Sequence, residues 1–293
     1  MSVINLEGQK VGFLGGDDRE LELLSILLKK GASLEVLGQL EGLKEDEVIF
    51  VDSLMNLSKE LDVVIAPMTG TDQNLKIKKT FEDKNVVLTE DFFATLKPGT
   101  KFFIGFAKDK IKAWCQKYQI ELIELAALDE VAILNAIPTA EGAIEIAMQE
   151  MPITLHKNNS FVLGLGRVGL ALARRLKALG SNTYGVARKP KDLARAEEMG
   201  LIPVHFNDLD ELLGEGDFIF NTVPALILDK ERLEKVNPEG IIIDLASYPG
   251  GTDFDAAQNL GIKAELALGL PGKVAPKSAG RILGDIIPRI IKE

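Results

Sequence analysis

The stretch Ser160-Phe161-Val162-Leu163-Gly164-Leu165-Gly166-Arg167-Val168-Gly169 decides the fold. Phe161 to Leu163 is a short apolar run of buried-strand type, and a helical pattern runs from the last glycine to Leu179. After Gly180 a second strand follows, Asn182 to Val186. A G-x-G-x-x-G run is weak on its own, but strand before, helix after and strand again give it the full dinucleotide-binding context. Gly164 permits the tight turn, Gly166 lets the backbone approach a pyrophosphate, and Gly169 lets helix and sheet pack closely. The free N–H groups of the helix start receive the negative charge. Gly164, Leu165, Gly166, Arg167, Val168 and Gly169 are therefore the expected pyrophosphate loop of a nicotinamide dinucleotide.

Outward from this loop, the second half alternates strand and helix. A helix spans about Asp192 to Met199, and a strand lies near Pro203 to Phe206. Further strands fit Phe218 to Asn221, Ile241 to Leu245 and Lys263 to Ala267. The first half repeats the alternation: strands Lys10 to Leu14, Ser33 to Leu37, Val63 to Ala66, Phe102 to Ile104 and Glu121 to Leu125. Helices fall at about Asp18 to Lys30, closed by Gly31, and Lys108 to Tyr118. The expected fold class is α/β, with two Rossmann-like doubly wound domains, the C-terminal one binding the dinucleotide. Ile137-Pro138-Thr139-Ala140-Glu141-Gly142 is read as opening a linking helix with Thr139 as N-cap, ending before Pro152. The domains are then 1–137 and 138–275.

The residues after the second strand of the glycine unit bear on the choice of dinucleotide. An NAD site usually has an acid there for the ribose 2′-hydroxyl. This chain has Ala187, Arg188 and Lys189, which suit a 2′-phosphate and favour NADP. Asn221-Thr222-Val223-Pro224 and Leu245-Ala246-Ser247 each follow a strand, at the edge where open α/β sheets bind ligands, and are expected to contact the cofactor. Gly15-Gly16-Asp17-Asp18-Arg19 imitates the glycine loop but lacks a third glycine and already holds carboxylates at the helix start, so a second cofactor site is not expected. Capping by Asp17 or Asp18 and a substrate wall using Asp17 and Arg19 both remain open. Thr69 and Gly70 form a second candidate wall.

The bulk composition narrows the function classes. A chain of 293 residues with 46% hydrophobic and 27% charged residues has the profile of a soluble globular protein of two domains. The formal charge of −10 disfavours nucleic acid or an anionic membrane as main partner. The lone Cys115 excludes an intramolecular disulfide or a cysteine metal cluster, and reads as a core thiol. The N-terminus does not read as a signal peptide and no apolar run is read as a membrane span, which points to the cytoplasm. The two histidines, His156 and His205, lie away from the expected nicotinamide. That counts against a hydroxy-acid dehydrogenase, which commonly uses such a base. Oxidation to an aromatic ring, driven by product stability, is left open. So are a different two-domain oxidoreductase of hydroxy-acid or shikimate type, and a protein that binds NADP without catalysis.

Over nearly its whole length the chain resembles the A subunits of dipicolinate synthase from spore-forming bacteria. The likeness is carried by Gly15 to Arg19, Asn135 to Gly142, the glycine loop with Val186-Ala187-Arg188, and Asn221 to Pro224. It continues through Asp244-Leu245-Ala246-Ser247-Tyr248-Pro249-Gly250-Gly251-Thr252-Asp253-Phe254 and Gly269-Leu270-Pro271-Gly272-Lys273-Val274-Ala275-Pro276-Lys277, and is loose from Leu37 to Lys97. The resemblance implies oxidation of dihydrodipicolinate to dipicolinate by NADP during sporulation, in the mother cell. It also implies a partner, the flavoprotein-like B subunit of dipicolinate synthase. A dicarboxylate needs cationic or N–H anchors, for which Arg19, Lys273, Lys277 and the helix start Thr139, Glu141 and Gly142 are candidates in a cleft between the domains. The Gly269 to Lys277 run is also similar to a loop in methylenetetrahydrofolate dehydrogenases that precedes a helix returning to the first domain. The helix from Pro276 is expected to do the same. A homo-oligomer is compatible with all of this.

Overall fold

The computed structural model describes residues 4–40, 48–82 and 84–293. Its contacts divide the chain into two compact units, 1–132 with 275–293, and 133–274.

The first unit runs β1 (Lys10–Phe13), α1 (Asp18–Lys29), β2 (Ser33–Leu37), β3 (Val48–Val51) and β4 (Val63–Ile65). It continues with α2 (Glu90–Thr95), β5 (Lys101–Ile104), α3 (Asp109–Lys117) and β6 (Glu121–Glu124). The strands form one parallel sheet in the order β3-β2-β1-β4-β5-β6. Alternation along β5 shows why the sheet is covered on both sides. Phe103 joins one hydrophobic cluster, while Phe102 and Ile104 join the other. Cys115 is buried in the second cluster, where the apolar surroundings push its thiol up to about 12 and leave it inert.

Strand β3 and helix α2 have no counterpart in the sequence reading. The apolar run Val48-Ile49-Phe50-Val51 is only one strand long and becomes a strand through parallel pairing with β2. Helix α2 is started by Thr89, whose hydroxyl accepts from the Phe92 N–H.

The second unit is entered through α4 (Asp129–Glu150), followed by β7 (Asn159–Leu163), α5 (Arg167–Ala178), β8 (Asn182–Ala187), α6 (Pro190–Glu198) and β9 (Ile202–His205). Then come α7 (Leu209–Leu212), β10 (Phe218–Asn221), α8 (Lys230–Leu233), β11 (Ile241–Asp244), α9 (Phe254–Asn259), β12 (Lys263–Leu266) and α10 (Leu270–Val274). The parallel sheet has the order β12-β11-β10-β7-β8-β9, the same winding as the first.

Helix α4 corrects the expected linker. It starts at Asp129, so Pro138 and Thr139 lie inside it and Thr139 is not an N-cap. Proline removes one helical N–H. The Thr139 hydroxyl donates to the Asn135 carbonyl at 2.7 Å, and Ala140, Ala143 and Ala147 form a small-residue stripe in the core that holds the helix together. The helix is also long and apolar enough, by length and composition, to cross a membrane, contrary to the expectation of no such run. Here its alanine stripe packs against Leu172, Leu176 and the sheet residue Val162.

The last helix, α11 (Pro276–Lys292), packs on α1 within the first unit. Two glycines allow the close approach. A Cβ on Gly280 would stand 2.5 Å from the Arg19 carbonyl oxygen, and one on Gly284 2.4 Å from Ile26 Cδ1. Leu283, Ile286, Ile287 and Ile291 then fill the cluster beneath Leu23, Leu24 and Leu27. The ammonium of Lys101 donates to the Ile290 carbonyl near the negative end of the helix.

Candidate functional site

In the second unit, β7 delivers the chain to Gly164, which has φ +91°, a conformation glycine adopts without strain. Gly166 is the N-cap of α5. A Cβ on Gly169 would lie 1.9 Å from the Gly164 carbonyl oxygen, so the helix sits on the turn as closely as backbone allows. A Cβ on Gly166 would meet nothing within 4 Å. One glycine is thus spent on internal packing, while the other leaves bare backbone facing open space at a helix N-terminus. That arrangement fits a pyrophosphate.

Leu165 is buried, and Val168 is half-buried on the first turn of α5 with Arg167. At the end of β8, Ala187 is buried while Arg188 and Lys189 are exposed and lead into α6. The Thr222 hydroxyl donates to the carbonyls of Leu163 and Gly164 at 2.9 and 3.1 Å, tying the loop after β10 to the glycine turn. Val223 and Leu245 are half-buried, Ala246 is buried, and Pro224 and Ser247 are exposed.

Asn221 requires a correction. Its side chain is fully buried and held within the protein, so it does not face a cofactor. Its amide donates to both carboxylate oxygens of Asp244, at 3.1 and 3.0 Å, and to the Val223 carbonyl. Asp244, also fully buried, further accepts from the N–H groups of Ala246 and Gly251 and from the Thr252 hydroxyl, at 3.0, 2.8 and 2.7 Å. This clasp joins the loops after β10 and β11, and it presents Tyr248 with 81% of its surface exposed. The pairing of Asp244 with Asn221 and Thr252 is not among the sequence expectations. Their signal in the sequence is the run Asp244 to Phe254, one of those that carry the family resemblance.

Other expected residues fall elsewhere. Glu141 pairs with Arg175 at 3.3 Å, and Gly142 lies under Val274 and Leu270. With Thr139 they sit in the middle of α4, where the backbone N–H groups are not those of a helix start, so the expected neutral donor set is not formed. Lys273 lies on the short helix α10 rather than in a loop, and Lys277 lies in the first turn of α11; both are exposed. His156 is an exposed turn residue beside Gly180, and His205 ends the edge strand β9, where its Nδ1 accepts from the Asn207 N–H.

In the first unit, Asp17 caps α1 in a reciprocal box with Glu20. The Arg19 guanidinium grips Asp17 through Nε and Nη2 at 2.8 and 2.7 Å, and the arginine is buried. Burial pushes the Asp17 carboxyl up, but the bonds and charge from Arg19 outweigh it and hold it below its usual range. Glu20 is 1% exposed and accepts from the N–H groups of Asp17 and Met68, at 2.9 and 2.8 Å. It thereby joins the loop after β1 to the loop of Thr69 and Gly70 after β4. Gly70 has φ +65°, and the Thr69 hydroxyl is buried without a partner among the described residues.

Burial pushes Glu20 up to about 7, against the opposing charge of Arg19 and its two backbone bonds. The folded state therefore keeps a proton that the unfolded chain loses near 4.5. The associated stability is present below that value and is lost as pH rises through about 7. Unfolding free energy measured from about pH 5 to 8 is expected to fall by about 2–3 kcal/mol more in the wild type than in Glu20→Gln. Parallel curves would show that Glu20 is already ionised.

Comparison with known proteins gives these features a family. Residues 10–126 match the N-terminal domain of the dipicolinate synthase A subunit, and residues 136–247 match the NAD binding domain of D-isomer specific 2-hydroxyacid dehydrogenases. The chain is 37% identical over 291 residues to the dipicolinate synthase A subunit of Bacillus subtilis, covering 98% of this chain and 97% of that one. The crystal structure of the dipicolinate synthase A subunit from Bacillus halodurans superposes with a TM-score of 0.94 at 37% identity, over 99% of both chains. The crystal structure of its Bacillus subtilis counterpart gives 0.92 at 36% identity, over 99% of this chain and 98% of that one. The protein carries a nicotinamide-dinucleotide domain of dehydrogenase type on a two-domain Rossmann-like fold, and it belongs to the family of dipicolinate synthase A subunits.

Proposed function

We propose that the protein oxidises dihydrodipicolinate to dipicolinate with NADP, in the mother-cell cytoplasm during sporulation and together with a flavoprotein-like B subunit. The observation that carries this reading is the 37% identity with the Bacillus subtilis protein over 98% of the chain, combined with an open glycine loop able to seat the oxidant. When bound, NADP supplies a two-electron acceptor for one ring hydride, the remaining proton passing to a base or to water. The protein's part is binding and orientation. The exposed N–H groups at Gly166 and the start of α5 hold the pyrophosphate, and the Asp244 clasp fixes the loops ending in Pro224 and Ser247. Lys273, Lys277 and Arg19 are the proposed carboxylate anchors, and Thr69 and Gly70 a proposed substrate wall. Arg19 offers its guanidinium with two of its bonds already given to Asp17.

The decisive test supplies freshly prepared dihydrodipicolinate with NADP or NAD, with and without the B subunit, and follows dipicolinate absorbance. Product with NADP supports the reading, and no product in any arm overturns it. Product only when the B subunit is present would make this chain the NADP-binding partner rather than the whole catalyst.

Arg188 is the proposed reader of the 2′-phosphate. Arg188→Ala is expected to weaken NADP binding about 10–100-fold while leaving NAD within about twofold, because only NADP carries the phosphate that a charge-assisted pair would hold. Titrating both cofactors against the variant checks this, and equal losses would remove Arg188 from that role.

A second reading rests on the match to the 2-hydroxyacid dehydrogenase domain. It requires reduction of a simple 2-keto acid by the same protein. The positions of His156 and His205, on a far turn and an edge strand, weigh against it.

A further inference from the structure

The chain has a net charge of −10, yet residues 167–195 hold eight basic residues against a single acid, Asp192. Part of this charge gathers on one surface of the second unit. A groove of about 510 Å³ is lined by Arg174, Arg175 and Arg195 with Ile133, Ile137 and Leu170, and it reaches Gly166 and Arg167 of the glycine loop. Arg174 and Arg195 are exposed, and Arg175 is held by Glu141, through contacts of 3.3 Å, and by the Ala171 carbonyl. Ile133 and Ile137 stand one helical turn apart on α4 and are 53% and 38% exposed.

The groove meets the glycine loop at Leu165, Gly166 and Arg167 and continues beyond it along α5. The 2′-phosphate reading uses Arg188, and the pyrophosphate reading uses backbone at Gly166. Neither requires Arg174, Arg195 or the two isoleucines. Arginines beside exposed aliphatic side chains in one groove are the make-up of a protein docking surface, in which charge steers the partner and covered aliphatic side chains hold it. A nucleic acid would gain from the arginines, but it would leave the isoleucines uncovered and meet the negative charge of the rest of the chain.

We infer that this α4–α5–α6 groove docks an acidic segment of the B subunit, with an apolar side chain of that segment seated over Ile133 and Ile137. The inference rests on the reading that the chain works with such a partner.

The purified B subunit is the probe, its binding to the full chain measured at low and high salt. Arg174→Glu combined with Arg195→Glu is expected to weaken the complex at least roughly tenfold and to remove most of its salt dependence. Ile137→Ser is expected to weaken it with the salt dependence kept. The unfolding midpoint reports whether each variant is intact and is expected to stay at the wild-type value, while a loss of NADP affinity with B-subunit binding unchanged would overturn the proposal in favour of a cofactor role for the arginines. Unchanged binding in both variants would overturn the proposal while leaving the partnership standing. No binding of the B subunit to the wild-type chain would overturn the partner reading and the assigned occupant together. A labelled DNA duplex held by the wild type and released by the arginine variant would overturn it in favour of a nucleic acid. A change in the chain's own sedimentation caused by the variants would overturn it in favour of a second copy.

Discussion

Gly169→Val is expected to abolish dinucleotide binding and to destabilise the second unit by about 2–4 kcal/mol or more, as overpacking against rigid backbone does. Even a single methyl carbon at this position would lie 1.9 Å from the Gly164 carbonyl oxygen. The atom in the way is backbone, so no rotamer change relieves the contact. Either α5 lifts off the sheet or the turn at Gly164 opens, and both displace the helix N–H groups from the place where the phosphate would sit. Gly166→Ala is the companion, because open space lies around its Cβ position. That variant is expected to fold like the wild type and to lose cofactor affinity only. Denaturant unfolding and cofactor titration distinguish the two. Wild-type affinity in Gly169→Val would show that the loop is not the pyrophosphate site.

Asp244→Ala has the second largest expected effect. It removes the acceptor shared by the Asn221 amide, the Ala246 and Gly251 N–H groups and the Thr252 hydroxyl. Buried donors left without a partner cost about 1–3 kcal/mol each, partly recovered by relaxation, so a loss of about 3–5 kcal/mol is expected. The loops after β10 and β11 would separate, and the Michaelis constant for cofactor would rise. Asp244→Asn keeps the volume but turns an NH₂ group toward other donors, and is expected to fall between the wild type and the alanine variant. Thr252→Val, removing one donor as well as its bond, is expected to cost about 1 kcal/mol. An Asp244→Ala protein with wild-type stability and cofactor affinity would remove the clasp from the account of the site.

These two residues also show how much could be read in the amino-acid order. The glycine loop was legible because its parts are local: strand, turn and helix follow one another, and each glycine has a steric task set by its neighbours. The clasp was only half legible. Asn221 was noticed at the end of its strand, but its partner lies on a different strand, 23 residues later, and only the folded sheet brings them together. Helix α4 misled for the opposite reason. Pro138 and Thr139 have the local chemistry of a helix start, and the packing of the alanine stripe overrode it. Strand β3 depended on pairing with β2, which its four residues do not announce.

The side chain of Glu20 has one more consequence. Both sheets are wound in the same order, and both place a glycine turn before the helix that follows the first strand. In the first unit, however, a Cβ at Gly16 would collide with Glu20 at 2.3–2.8 Å, and the Asp17 N–H is already given to its carboxyl group. The molecule thus carries a resident acid where its other half has a berth suited to a visiting anion. A duplicated architecture is expected to titrate as a single site, with one dinucleotide per chain at saturation.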